Sequence, residues 1–357
     1  MNHWMGVSRV PGQILAGLLS YLSIGLFHLA HGHVKWFAPY DLEKPPLRID
    51  KVLTREYVYF FLASVFFIYT FFLMDRYLYR RGFLSSAAQK FVISPRMSLP
   101  ILRTAAFIFF LSLFVYGLVE RPLLLTPELK VRYEFIPWLQ LAIALCALSR
   151  YTTPLIGVGI VILYAMFVAQ YGVFHALDYL IFLGVAYYFG ASLVKGERWT
   201  TSRYVVLFAT TGLTLLWGSI EKWGYPHWTY PLLERDPGIL MGMQPHTYMV
   251  LAGFVEFNVT FVLLGSVSVV SRAIALGLGA VFILAIYKFG VLDAVGHLLI
   301  ITILVILVVR GPTKARFFLA LPEKSVWTEA YFMTGLYFLA FVMVFLAYYG
   351  LYYSLHA

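Results

Sequence analysis

The sequence predicts an all-α polytopic membrane protein, and three observations lead to that fold class. Of the 357 residues, 61% are hydrophobic and 18% aromatic, whereas only 12% are charged, which is too apolar for a soluble domain. The hydrophobic residues form repeated runs of roughly 17–25 residues, the length that crosses about 30 Å of hydrocarbon. The charged residues lie in short groups between those runs.

About eleven segments have the length and composition of a transmembrane helix. They lie at about 10–31, 57–75, 103–120, 135–149, 153–171, 174–194, 204–220, 247–270, 273–288, 290–309 and 329–353. The first segment lacks the basic start and the small-residue cleavage site of a signal peptide, so we expect it to be retained.

Lysine and arginine in the connections predict the orientation of the helices. The basic clusters lie at 75–103, at 195–203, at Arg272 and at 310–316. If eleven helices alternate, all four clusters fall on one side, which predicts a cytoplasmic N-terminus and an external C-terminus in a bacterial or archaeal cytoplasmic membrane. The net charge of +10 comes largely from connections of this kind, so we expect a lipid bilayer and no nucleic acid as partner.

Two stretches of the chain share one frame, which predicts a tandem repeat. The first begins RTAAFIFFLSLFVYGLVE and the second begins RYVVLFATTGLTLLWGSIE, and each has YG or FG before its fourth helix. We therefore predict two tandem four-helix bundles, at 103–200 and 201–316. Two N-terminal helices in 1–102 precede them, and one C-terminal helix in 317–357 follows.

The second copy resembles the DoxX family of small four-helix membrane proteins. The resemblance rests on SIEKWGYPHWTYPLL followed by AGFVEF and covers roughly residues 203–310, whereas the first copy matches only in outline. The family includes a subunit of an archaeal thiosulfate:quinone oxidoreductase. The resemblance therefore implies a redox role linked to a quinone or to a partner redox protein, and it assigns no catalytic residue.

Acids and histidines within the apolar segments are the candidate site residues, because an ionisable group in the membrane usually lines a site or meets a partner. Glu256 lies inside the eighth segment, and Glu221 ends the seventh. Asp293 and His297 are spaced i, i+4 in the tenth segment, so they share one helix face. By the helical rise, His297 and Glu256 lie at similar depth, and we predict that these two residues and Asp293 are catalytic.

The first connection adds a group of histidines that could bind a metal ion, since imidazole is a common ligand. The predicted metal ligands are His28, His31, His33, Glu221, Glu256, Asp293 and His297. A mixed histidine–carboxylate set suits iron, manganese, zinc or Cu(II), and iron or copper is the ion we expect. Together with the redox role that the resemblance implies, this set predicts a metal-dependent oxidoreductase with its site at the external face and a quinone as a further candidate cofactor.

Other interpretations stay open at this point. The two glutamates could be structural groups that are hydrogen-bonded between helices, and Asp293 with His297 could form a proton relay or an ordinary hydrogen-bonded pair. The site acids could line the cation, proton or metal path of a transporter. The chain could also be a structural or assembly subunit of a respiratory or oxygenase complex.

Three further groups have more ordinary explanations. His175 and Asp178 occupy the corresponding region of the first copy, which we interpret as scaffold. The methionines around His246 could form a copper-docking loop, although methionine near a membrane surface more often serves packing. The single cysteine, Cys146, excludes an intrachain disulfide and a cysteine cluster.

The predicted orientation can be tested by cysteine labelling in intact cells. A cysteine placed near Asp236 should react with an impermeant reagent, because the connection 223–246 is predicted to be external. A cysteine near Lys90 should react only after the membrane is permeabilised. The reverse pattern would place the candidate site on the cytoplasmic side.

Overall fold

The protein is described by a computed structural model that covers residues 44–86, 95–311 and 324–356. Within these ranges the chain is a helical bundle without β-strands, and nine of its helices are long and apolar enough to cross a membrane. The predicted all-α polytopic membrane fold is therefore confirmed. The predicted first segment, at about 10–31, lies outside the described residues.

Ten helices form the bundle. They are α1 (Arg55–Arg80), α2 (Pro95–Val119), α3 (Ile136–Cys146), α4 (Thr153–Tyr171), α5 (Val173–Gly190), α6 (Glu197–Gly224), α7 (Pro245–Gly265), α8 (Val270–Phe289), α9 (Val291–Arg310) and α10 (Val326–His356). A 3-10 turn at Leu177–Tyr179 lies within α5, and shorter helical pieces lie at Ile49–Val52, Pro226–Trp228, Tyr230–Arg235 and Pro237–Leu240.

Helix α3 is shorter than the predicted segment at 135–149. It has 11 residues, which correspond to about 16 Å along the helix axis. Arg103 at the start of α2 donates two hydrogen bonds to the carbonyl oxygen of Ala147, at 2.9 and 2.6 Å. A Cβ at Gly117, near the end of α2, would lie 2.8 Å from the Pro137 ring. Helix α3 is therefore antiparallel to α2, and the alternation of helix direction is kept.

In both copies of the predicted repeat, one glycine joins the third helix to the fourth. Gly172 links α4 to α5 and Gly290 links α8 to α9, each with a φ of +84°. Residues with a side chain rarely adopt this backbone conformation. The YG and FG pairs in the sequence thus mark two junctions of the same kind, as copies of one repeat would have.

The two copies contact each other through their first and last helices. Helix α5, the last of the first copy, packs against α6, the first of the second copy, and α9 packs against α2. Consecutive helices from α2 to α9 also contact one another, so the sequence of contacts closes into a ring. Helices α1 and α10 pack together and cover α7 and α6 of the second copy.

The helix ends that carry the predicted basic clusters lie together, and we call this the basic end of the bundle. The guanidinium of Arg310 lies 3.5 Å from the centroid of the Tyr204 ring, and Arg203 donates a hydrogen bond to the carbonyl oxygen of Ser192 at 3.3 Å. The opposite end, which carries the connections 120–135 and 225–244, is called the loop end below. That the basic end faces the cytoplasm stays a prediction from the distribution of lysine and arginine.

Four charged side chains join α1 to α10 at the basic end. Asp75 and Arg76 are 0% exposed and Glu329 is 2% exposed. Arg76 donates a hydrogen bond to Asp75 at 2.7 Å and lies 3.6 Å from Glu329, to which Arg80 donates at 2.7 Å. Asp75 also accepts hydrogen bonds from two backbone amides of the turn before α8, at 3.1 and 3.2 Å. This buried network therefore ties α1, α10 and the α7–α8 turn together.

Replacing Asp75 with Asn should strongly destabilise the fold. The amide keeps the shape of the side chain but removes the negative charge nearest to Arg76, and a buried charge that loses its partner costs about 3 kcal/mol. The free energy of unfolding in detergent measures this loss. Asp50→Asn is the matched control, because its pair with Arg48 is exposed at both side chains (56% and 80%), and it should change stability by about 0.5 kcal/mol or less. Equal and small effects would show that the network does not hold the fold.

Candidate functional site

Glu256 has a charged partner that the sequence analysis did not identify. Lys222, near the end of α6, forms an ion pair with Glu256 of α7. The two side chains are 28% and 25% exposed, so the pair is accessible from one side. An acid within a membrane span is thus neutralised by a cation from the neighbouring helix. Lys222 directly follows Glu221, but nothing in the sequence shows which acid it meets.

Lys222 also lines a narrow crevice at the loop end. The other lining residues are Val52, Trp223, Pro226, His246, Met249 and Val250. Trp223 donates a hydrogen bond from its Nε1 to the carbonyl oxygen of Val250 at 3.0 Å. The crevice therefore combines an apolar, aromatic lining with a lysine and a histidine.

The connection 225–244 packs onto the start of α7 through a small apolar cluster. Met249 is 1% exposed and lies in this cluster with Leu232, Leu233 and Ile239. This methionine therefore has the packing role that we weighed against a copper-docking loop. Burial raises the pKa of Tyr230, in the same connection, above its usual value of 10.0, so its phenol stays neutral at physiological pH.

Asp293 and His297 form a buried pair on α9, as their spacing predicts. They are 0% and 3% exposed. Nδ1 of His297 lies 3.1 Å from Oδ1 of Asp293, although the two groups are not aligned as a hydrogen bond. Asp293 lies in the first turn of α9, where the helix dipole favours a negative charge. The His297 ring stacks on Phe282 of α8 with a centroid separation of 4.7 Å.

The carboxylate of Asp293 is incompletely satisfied by its surroundings. Neither of its oxygens accepts a hydrogen bond from any residue that the structure describes. Native proteins seldom leave a buried carboxylate in this state, because it has lost its hydration without replacement. Of the predicted site residues, this pair therefore most needs an additional hydrogen-bond donor or a bound cation.

Glu221 lies in a different environment from Glu256. It lies near the end of α6, where the hydroxyl of Tyr348 of α10 is 3.4 Å from the position of a Cβ at Gly224. Asp178 of the first copy packs against the same helix, with its Oδ1 3.6 Å from the position of a Cβ at Gly218. Glu256, by contrast, is paired with Lys222. Asp178, which we interpreted as scaffold, thus lies near one of the predicted site residues.

The described residues do not form a complete metal site. Among residues 44–86, 95–311 and 324–356 there is no group of three or more His, Cys, Asp or Glu side chains that could hold a metal ion. His28, His31 and His33 lie outside these ranges. A metal centre that includes them stays a prediction.

Sequence reasoning also missed a polar contact between α1, α7 and α10. Asn258 donates a hydrogen bond to the hydroxyl of Ser64 at 2.9 Å and accepts one from the hydroxyl of Tyr337 at 2.8 Å. The three residues are far apart in the sequence, and only Asn258 stands out there, two residues after Glu256. This contact fixes α7 against the two helices outside the repeat.

The Lys222–Glu256 pair can be tested by a double-mutant cycle. Glu256→Gln and Lys222→Gln each leave one charge without its partner, so each should lower the free energy of unfolding by about 1 kcal/mol, a small value because the pair is partly exposed. The double mutant should lose less than the sum of the single losses. Glu234→Gln, at an exposed position, serves as the control. Additive losses would mean that the two charges do not interact.

No family model, no curated protein and no solved structure matches this chain. The resemblance of 203–310 to the DoxX family therefore stays a prediction from the residues quoted above.

Proposed function

We propose that this protein is a membrane oxidoreductase that holds a metal ion at its loop end and exchanges electrons with a quinone or a partner redox protein. The observation that supports the metal is the buried Asp293–His297 pair. The redox role rests on the resemblance to the DoxX family. The two parts of the proposal are thus independent and can be tested separately.

The geometry of the pair suits a histidine that binds a metal ion. Such a histidine usually directs its second ring nitrogen towards a carboxylate, which fixes the tautomer and the orientation of the ring. In this chain Nδ1 of His297 faces Asp293, so Nε2 would bind the ion. Stacking on Phe282 would hold the ring in place.

Two side chains cannot complete a metal site, since zinc takes four ligands and most transition metals take four to six. We propose that His28, His31 and His33 supply further ligands. Glu256 is neutralised by Lys222, and Glu221 lies on a different helix, three residues before the end of α6. The proposed ligand set therefore consists of the Asp293–His297 pair and the three histidines, without either glutamate.

The end of the first connection lies at the loop end, as this proposal requires. The amide of Leu47 donates a hydrogen bond to the carbonyl oxygen of Gly224 at 2.7 Å, and Tyr349 of α10 donates one to the carbonyl oxygen of Leu47 at 3.0 Å. His33 precedes Leu47 by 14 residues. An extended chain covers up to about 3.3–3.6 Å per residue, so the histidines have ample reach to α9.

Elemental analysis of the detergent-purified protein tests the metal. The wild type should carry a stoichiometric ion, and His297→Ala, Asp293→Asn and His31→Ala should each lower the bound metal by about tenfold or more, as loss of a ligand or its orienting partner does. His175→Gln is the control, because His175 is the counterpart of Asp293 in the first copy. Full metal in His297→Ala and Asp293→Asn would exclude this site. Equal loss in His175→Gln, with normal expression, would show that the first copy holds the metal.

Transport of protons or cations is a second candidate function, favoured by the polar groups on and beside α7. Glu256 lies near the middle of α7, Asn258 contacts α1 and α10, and Asp75 meets the turn after α7 at the basic end. Intramembrane groups of this kind mark ion pathways in transporters. Proton uptake into proteoliposomes by metal-free protein would support transport, and its absence would leave the redox proposal in place.

A further inference from the structure

A polar site lies where the two copies meet at the loop end. Asp178 comes from α5, Glu221 from α6 and Tyr348 from α10. Asp178 is 1% exposed and Tyr348 is 0% exposed. A Cβ at Gly218 would lie 3.6 Å from Oδ1 of Asp178, so this carboxylate packs directly against α6.

Aromatic rings form the walls of this site. The centroid of the Tyr348 ring lies 4.8 Å from that of Trp217 and 4.9 Å from that of Phe174. Two histidines lie at its margin: His175 contacts the Phe174 ring at 5.3 Å, and His356 stacks on Tyr352 at 4.4 Å. Rings exclude water, and a charge interaction is stronger where water is excluded.

The hydroxyl of Tyr348 is the observation that points to a ligand. It is fully buried, and it has no hydrogen-bond partner in the part of the chain that the structure describes. Buried hydroxyl groups in native proteins nearly always have such a partner. The hydroxyl lies against the end of α6, because it is 3.4 Å from the position of a Cβ at Gly224, and Glu221 lies about one helical turn before this glycine.

We propose that Asp178, Glu221 and Tyr348 bind a small monovalent cation of the alkali-metal class between the two copies. The carboxylates and the phenol oxygen would be its ligands. Helix α6 ends three residues after Glu221, at Gly224, and the partial negative charge at a helix C-terminus also favours a cation. The bound ion would thereby link α5, α6 and α10.

The described side chains supply fewer carboxylate and imidazole ligands than a divalent metal site usually has. A divalent metal ion usually takes more carboxylate or imidazole ligands, and the described residues contain no group of three such side chains. Alkali cations bind to carboxylate, hydroxyl and carbonyl oxygens in membrane proteins. This site uses none of the residues of the Asp293–His297 pair, so it does not depend on the proposed redox function.

Thermal unfolding of the full-length protein in detergent tests the proposal, with the fluorescence of tryptophan as the signal. Sodium, lithium or potassium chloride replaces choline chloride at constant ionic strength. At least one alkali cation should raise the unfolding midpoint in a saturable way, by about 3 °C or more, because it binds the folded state. Glu221→Gln and Asp178→Asn should abolish this shift, and Tyr348→Phe should weaken the apparent affinity at least threefold.

Two controls define the result. Glu120→Gln changes the counterpart of Glu221 in the first copy, which is exposed, and it should keep the full shift, as should His297→Ala. If Asp178→Asn does not fold, Glu221→Gln and Tyr348→Phe carry the test, since Tyr348→Phe removes only one oxygen atom. No shift with any alkali cation, or the same shift in Glu221→Gln and Tyr348→Phe, would overturn the proposal.

Discussion

Charges inside a membrane must be compensated by other parts of the protein, because lipid supplies neither water nor counter-ions. This constraint decides how the helices of the bundle pair. At the basic end, Asp75, Arg76, Arg80 and Glu329 compensate one another across α1 and α10. Nearer the loop end, Lys222 compensates Glu256. Asp75 also accepts hydrogen bonds from the turn between α7 and α8, so the two helices outside the repeat are held to it by polar groups as well as by apolar packing.

The degree of compensation separates structural groups from candidate functional groups. Asp75 accepts hydrogen bonds from a guanidinium, two backbone amides and two serine hydroxyls, which is what a structural carboxylate needs. Asp293 lies close to His297 but accepts no hydrogen bond from the described residues. The buried hydroxyl of Tyr348 likewise has no hydrogen-bond partner among the described residues. Incomplete satisfaction in buried surroundings is the physical reason why we place ligands at these two positions.

The helices could be predicted from the sequence because the thickness of the bilayer requires long apolar runs, and their direction could be predicted because the helices alternate. Helix α3 is shorter than its apolar run because the chain turns after Cys146, where the amide of Ala147 bonds to the carbonyl oxygen of Ala144. Asp293 and His297 were predicted to meet because their contact lies within one helix. The partner of Glu256 lies on another helix, and all partners of Asp75 except Arg76 lie in the distant α7–α8 turn. A single sequence contains no signal for the rotation of one helix against another.

The single-glycine junctions determine how the bundle can move. Gly172 and Gly290 leave no spare residue between the helices that they connect, and both hold a backbone conformation that is strained for other residues. Helices α4 and α5, and likewise α8 and α9, are thus coupled at the loop end. Asp293 follows its junction by three residues, so it cannot shift far without α8. Any conformational change at this end should move each pair of helices, α4 with α5 and α8 with α9, as one rigid unit. The longer connections 120–135 and 225–244 should then take up the motion.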